Sequence, residues 1–250
     1  MARLRRWGVT GLLAAVALAC ASDVPEERSV LLSGAERTWL VLPLNVTAIL
    51  SPELEARSAV VWDELTAYLQ DQGKPLKTVN FRDARRMWLA SIRKVRSSEQ
   101  PGDAGFEEAA QAFVAELGRH AEFSTVLSPS LFVRQAVIEG RKASWDGVSR
   151  GIEIEAEGIE AKRIAQETAL EGVAPAVSLH VVMLDAEGKK LHEALRGLEL
   201  LVRVRVRGSP DLSPEERIEF APRPKLFEDR RELREEIKAV LAAAPGLPER

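Results

Sequence analysis

At 250 residues, with 46% hydrophobic and 29% charged side chains, the chain has the make-up of a globular protein and not of a disordered one. Aromatics are only 5%, so the core is expected to rest on Leu, Val, Ile and Ala. The formal net charge of −3 gives no global attraction for nucleic acid, which argues against a DNA- or RNA-binding role.

Residues 1–6 (MARLRR) are basic and residues 7–19 (WGVTGLLAAVALA) carry no charge. The apolar part is shorter than the about 20 residues of a spanning helix. A basic start, a short apolar middle and small residues at its end describe an export signal. Ala17-Leu18-Ala19 lead directly into Cys20, the one cysteine of the chain. This resembles the lipobox of bacterial lipoproteins, where cleavage precedes a cysteine whose thiol already carries a diacylglycerol. Ala17 stands where that pattern prefers leucine and Leu18 where it prefers a small residue, both within its tolerated range. An ordinary secretory signal or an uncleaved amino-terminal anchor is the alternative. The expected organisation is a signal over residues 1–19, a lipidated tether over 20–36 and a single domain over 37–250. Loss of Arg3, Arg5 and Arg6 would take Lys+Arg from 35 to 32 against 38 acids, a net of −6. Ala21-Ser22 lack the aspartate that resembles an inner-membrane retention signal. The expected address is therefore the periplasmic side of an outer membrane, reached through a diacylglyceryl Cys20.

The domain opens with Trp39 to Leu44, a near-continuous apolar run suited to a strand covered on both faces. Ser51-Pro52-Glu53 start a helix, with Leu54, Val61, Trp62, Leu65, Tyr68 and Leu69 at helical spacing and Gly73 at its end. Leu76 to Phe81 reads as a second strand, which completes a right-handed parallel βαβ unit. Asp83 is expected to cap a second helix buried through Ala84, Met87, Trp88, Ser91 and Val95. A third helix carries Phe106, Ala109, Ala110, Phe113 and Leu117, and both stripes read as core.

From Ser124 onward the chain turns β-rich. Residues 125–139 and 148–156 read as strands joined through Trp145-Asp146-Gly147, and residues 157–175 as a loop with one helical turn. Residues 177–184 and a long strand to about Arg207 form a hairpin across Asp185-Ala186-Glu187-Gly188. A proline-rich passage precedes a final helix with Leu226, Leu233, Ile237, Val240 and Leu241 on one side. The expected fold is α/β: a mixed sheet with an amino-terminal βαβ unit, further helices, an antiparallel β-meander and a carboxy-terminal helix.

The chemistry-bearing patterns are sparse. No glycine loop for phosphate is present, and His120, His180 and His192 stand far apart with no metal-ligand spacing. Gly147-Val148-Ser149-Arg150-Gly151 has the G-x-S-x-G spacing, but it opens a strand after a turn and not a helix after a strand, so no serine elbow is expected there. Ser128-Pro129-Ser130 interrupts a strand and reads as an edge or bulge, since proline cannot donate to a ladder. The expectation is no catalytic residue, no cofactor and no metal. Two features are candidate partner-binding groups. Trp145, Asp146 and Arg150 would form a presented hairpin tip, with a tryptophan packed back on its own hairpin as the bland alternative. Arg203, Arg205 and Arg207 would form a ladder for an anionic partner, against a charged face that resists edge pairing.

Val41-Leu42-Pro43-Leu44 with Asn45 and Thr47, and the hairpin Leu184 to Leu191, resemble envelope proteins related to the curli secretion lipoprotein and to the amino-terminal domain of the Tol translocation protein. That resemblance implies an accessory or docking module, without the long amphipathic hairpins of a pore-former. The leading expectation is a lipid-anchored, non-catalytic envelope protein that binds an envelope protein or glycan. The alternatives are an envelope hydrolase or glycan-processing enzyme with a dispersed site, and a small-ligand or lipid carrier.

Overall fold

The computed structural model describes residues 38–96, 103–209, 211–213 and 216–247, all within the unit Glu36–Arg250. Cys20, the signal and the tether lie outside the described residues. The first strand, β1 (Trp39–Val41), is buried along its whole length and lies between two parallel neighbours, β2 (Leu76–Thr78) and β3 (Thr125–Gly140). Helix α1 (Pro52–Asp71) connects β1 to β2. Ser51 takes its N-cap position in extended conformation, and Leu54, Val61, Leu65 and Leu69 form its fully buried stripe. Strand β2 is shorter than the sequence suggests, because Asn80 and not Asp83 starts the next helix. The Asn80 side chain accepts the Asp83 N–H at 2.9 Å, so α2 (Phe81–Arg96) begins where the strand was expected to end. Helix α3 (Asp103–Gly118) follows and returns the chain to β3.

Period-two alternation sorts the sheet's side chains into two cores. Trp39, Val41, Leu127, Leu131, Leu179 and Met183 pack with α1 and with α5 (Arg230–Leu241), whose N-cap Asp229 accepts the Glu232 N–H. Leu40, Leu42, Val126, Val182 and Leu184 pack on the other face with α2 and α3. The sheet is thus covered by helices on both sides, which is why β1 reads as an unbroken apolar run.

Strand β3 pairs along its whole length with antiparallel β7 (Leu170–Asp185), which in turn pairs with β8 (Lys190–Leu200). Its far end, Val137 to Glu139, also pairs with β4 (Lys142–Trp145), and β4 with β5 (Val148–Gly151). Pro129 therefore lies inside a long strand, not at a bulge or an edge. Its carbonyl accepts from the Asn45 N–H at 3.0 Å, so its missing donor points to the side where β1 has already ended. Asn45 completes that side. Its Nδ2 donates to the Leu131 carbonyl at 2.9 Å and its Oδ1 accepts the Leu131 N–H at 2.9 Å. One buried amide thus replaces a strand residue, from a backbone held at φ 59°.

The turn between β7 and β8 is also tightly specified. Asp185 Oδ1 accepts from the Glu187 and Lys189 amides at 3.0 and 2.8 Å, and Gly188 sits at φ 82°. A Cβ on Gly188 would lie 2.6 Å from the Gln111 Cα, so the turn also presses against α3.

Three further expectations need correction. The strand expected over 148–156 divides, with β5 ending at Gly151 and a separate strand starting at Ile154. Residues 157–175 are not a loop: they hold α4 (Gly158–Glu167) and the start of β7. The strand expected to run to Arg207 breaks at Leu201. Beyond it, β9 (Val202–Val206) joins a second sheet in the order β10-β9-β6, with β6 (Ile154–Ala156) and β10 (Ile218–Pro222). Glu199, just before the break, accepts from the Phe227 N–H and from Arg223, which fastens the passage ahead of α5 to β8. Burial pushes its carboxyl above the usual carboxylate range, against the pull of Phe227 N–H and Arg223.

Two measurements follow from these contacts. Replacing Asn45 by Ala orphans two buried backbone groups and should cost about 3 kcal/mol in urea unfolding. Asn45→Gly, which keeps the left-handed backbone easy, should lose nearly as much if the amide is what matters. For Glu199 the folded state binds the proton more tightly than the unfolded one. Stability of the wild type relative to Glu199→Gln should therefore rise as pH falls from neutral through that raised pKa, and level off below the unfolded carboxyl value. Unfolding curves across that range would show a slope of the opposite sign if the carboxyl were instead held low.

Candidate functional site

The residues singled out in the sequence are turned toward the protein's own fold. Trp145 is 6% exposed and its Nε1 donates to the Val177 carbonyl at 3.2 Å. Asp146 and Gly147 form the tight turn at φ 36° and 76°, and Asp146 accepts from Ser178 Oγ at 2.6 Å and Arg134 Nε at 3.1 Å. Gly197 lets this tip close on β8: a Cβ there would meet Val148 Cγ2 at 2.3 Å and Trp145 Nε1 at 2.6 Å. The hairpin tip is therefore folded back, and its indole is not presented to a partner. Arg150 pairs with Glu236 at 3.2 Å and with Glu232, which ties the hairpin to α5. Arg203 and Arg205 share Glu155, each at 3.1 Å, and Arg207 meets Glu219 at 2.5 Å. The arginine ladder is answered by carboxylates of β6 and β10, so it offers little unpaired charge.

A different group of side chains forms a cleft, on the face of the sheet that α2 and α3 only partly cover. Ser128, Ser130 and Phe132 project from alternate positions of β3, beside His180, Val182 and Leu184 of β7. Trp88, Phe106, Ala110 and Phe113 close the other side. Trp88 meets the rings of Phe106 and Phe113 edge-on, with centroids 5.5 and 5.6 Å apart. The space between them is a cavity of about 150 Å³ with a mostly apolar lining. It adjoins a wider cleft of about 680 Å³ that Gln111, Gly188, Lys189, Lys190 and Glu193 border. The two share Phe106, Ala110, His180, Val182 and Leu184.

Two serines create this space. Valines stand beside them on the same face, at Val126 and Val182, and pack against the helices. A serine leaves room where a valine's methyls would go and puts a hydroxyl at the wall. Ser130 is 2% exposed, and its hydroxyl engages no hydrogen-bond partner among the described residues. Toward the wider cleft, His180 Nε2 lies 3.0 Å from Glu193 Oε1, while Lys190 holds Glu193 Oε2 at 2.6 Å. The Lys190 ammonium holds the Glu193 carboxyl below the usual carboxylate range, with His180 adding to it against the opposing effect of burial.

Ser130 pairs directly across from His180, and Glu193, two residues from His180's register partner Leu195 on β8, reaches the imidazole diagonally. Acyl transfer at Ser130 would also need backbone donors aimed at a developing oxyanion. The local amides are already committed. Pro129 has none, the Leu131 N–H is held by Asn45, and the Ser130 N–H faces β7 in the ladder. The arrangement suits binding of an apolar group with a polar atom near the serines, not nucleophilic attack.

Among the described residues, no group of three His, Cys, Asp or Glu side chains is placed to hold a metal, and no helix is long and apolar enough to cross a membrane. No protein-family model matches the chain, and no curated protein matches it either. Ser128 and Ser130 stand far from His180 in the sequence. Their meeting depends on the β3–β7 register, which no local pattern encodes.

The two hydroxyl environments make a paired test in urea unfolding. Ser130→Ala should change stability by less than about 0.5 kcal/mol or raise it, because no intramolecular bond is lost. Ser178→Ala, which removes the 2.6 Å bond to Asp146, should cost about 1–2 kcal/mol.

Proposed function

We propose that this chain is a lipid-anchored, non-catalytic accessory protein of the bacterial envelope, held at the periplasmic side of the outer membrane through Cys20, which docks another envelope component. The basic leader and Cys20 support the anchor, and the resemblance to envelope lipoprotein modules supports the role. The observation that carries the docking is the cavity between α3 and the sheet, with its unengaged Ser130 hydroxyl and its half-exposed Phe106 at the mouth. A cavity of about this size holds one aromatic ring or a short branched acyl end. The occupant is then an apolar group of an envelope protein or glycan-linked lipid, carrying one hydrogen-bonding atom for the serines. The committed amides around Ser130 weigh against the hydrolase alternative.

The test is a photo-crosslinking amino acid at position 106 in cells, with the same group at Lys142 as the control. One envelope species should be captured from position 106 and none from position 142. Adding Phe132→Glu, which puts a charge against the cavity, should abolish the capture while a thermal melt shows the domain still folded. Equal capture from both positions, or capture indifferent to Phe132→Glu, would overturn the docking site. Labelled-lipid incorporation in wild type and Cys20→Ala separately tests the anchor.

A further inference from the structure

Helix α2 has a second face that the docking cleft does not use. Its sequence, FRDARRMWLASIRKVR, holds six cationic residues and one carboxylate in a chain that is acidic as a whole. Ala84, Trp88, Ser91 and Val95 point inward and are buried. Arg82, Arg86, Leu89 and Arg93 recur at i, i+4, i+7 and i+11, and at ~100° per residue they fall within an arc of about 60° on the outward side. Arg82 and Arg93 meet no carboxylate among the described residues, and Arg86 meets only Asp83 of its own helix, at 2.8 Å. Arg85 instead clamps the segment after β1, donating to the carbonyls of Val46 and Ala48.

Apolar side chains stand out among these cations. Phe81 is 50% exposed and Leu89 38%, and Ile49, one residue past the segment that Arg85 clamps, is 86% exposed. Phe81, Leu89 and the four arginines line one shallow depression. The ion-paired arginines elsewhere behave differently: Arg150, Arg203, Arg205, Arg207 and Arg234 all meet carboxylates of other elements. A cationic stripe with large apolar groups set in it, and Asp83 as its one carboxylate partner among the described residues, matches the boundary of an anionic bilayer. There phosphates meet guanidinium groups and side chains such as Phe and Leu reach the acyl region.

From this complementarity we infer that the outer face of α2 is a docking surface for an anionic phospholipid bilayer. It deepens the lipid-anchor reading and rests on it for the choice of a membrane as occupant. An acyl chain at Cys20 fixes where the domain is but not which side faces the bilayer. The α2 face sets that orientation, with Arg82, Arg86 and Arg93 against lipid phosphates and Phe81 and Leu89 at the interface.

The full chain carrying Leu89→Cys, labelled with bimane, is mixed with vesicles of phosphatidylcholine alone or with about one-third phosphatidylglycerol. The emission should shift to the blue only with the anionic vesicles. High salt should reverse the shift, and Arg82→Glu/Arg86→Glu/Arg93→Glu should weaken the response roughly tenfold or more. These arginines are exposed, and a circular-dichroism melt of the triple variant confirms that it folds. Equal emission with both vesicles, or a shift that survives the charge reversal, overturns the inference. So does the same shift on adding a soluble polyanion such as heparin without vesicles, which would mark a polyanion site and not a bilayer one. Flotation of the same samples with pure phosphatidylcholine reports the acyl anchor, and bimane labelling of the wild-type chain reports a free Cys20. Loss of the anchor reading and loss of the α2 reading therefore give different results.

Discussion

Asn45 holds the place where the central sheet changes neighbours. Up to Leu127, strand β3 has β1 beside it; beyond Val137 it has β4. Between those two partners Pro129 to Leu131 are buried, and their backbone groups need satisfaction, since an orphaned buried amide costs about 1–3 kcal/mol. Three devices close the gap. Leu42 N–H donates to the Leu127 carbonyl, the Asn45 N–H donates to the Pro129 carbonyl, and the Asn45 side chain takes both groups of Leu131. Proline at 129 is tolerated because its missing donor falls in that gap. The left-handed backbone of Asn45 aims its amide there and lets the chain leave the sheet toward α1. The position of Ser130 depends on this closure, because the residues on both sides of it are held from the β1 side and its own N–H from β7.

Much of the fold was legible because the informative patterns are local. The run Trp39 to Leu44, the stripe from Leu54 to Leu69 and the Asp185–Gly188 turn each state their own geometry within one window. The α/β class and the βαβ opening follow from their order. Segments whose structure depends on distant partners were not legible. Helix α4 buries only Ala161, so it shows no apolar stripe. The break at Leu201 has no proline or glycine to mark it: Val202, Val204 and Val206 keep alternating because β10 and β6 cover them in a different sheet. The candidate site fell on the same side of that divide. For Trp145 the sequence left a presented tip and an indole packed back on its hairpin both open. The structure has the second, and Gly197, 52 positions on, is what opens room for it. Ser130 and His180 looked unrelated until the ladder set them opposite one another.

Charge in this protein is spent unevenly. Arg150 and Arg196 both engage Glu236, Arg223 joins Glu153 to Glu199, and Arg234 reaches Glu64 and Asp71 of α1. Those pairs bind α5, the β4–β5 hairpin and the smaller sheet to the main body. Several are half-buried, where screening by salt is weaker than at the open surface. Their role is to fix how elements meet, which exposed pairs do poorly. Helix α2 is exempt from that arrangement. Its outward Arg82, Arg86 and Arg93 hold no other described element in place, and the helix is held by the inward Ala84, Trp88 and Val95 and by the Arg85 bonds to Val46 and Ala48.

The two faces of the sheet are therefore unequal, and the inequality explains why both the cleft and the basic stripe belong to one side. On the α1 and α5 side the cover is continuous: α5 packs on β7 and β8, and the Val240 carbonyl lies 3.0 Å from the His192 ring. On the α2 and α3 side the helices cover β1, β3 and part of β7 but stop short of β8, where Leu195 stays partly exposed opposite His180. A cavity can open only at the margin of such incomplete cover, and it does so under Phe106. Among the described residues, no further layer packs on the outer surface of these two helices. If the α2 face lies on a bilayer, the cleft beside α3 is brought close to the interface, within reach of the apolar end of a membrane-associated molecule. The physical link between the two sites is Trp88, whose ring faces the cavity from the inward side of the helix whose outward side carries Arg82, Arg86 and Arg93.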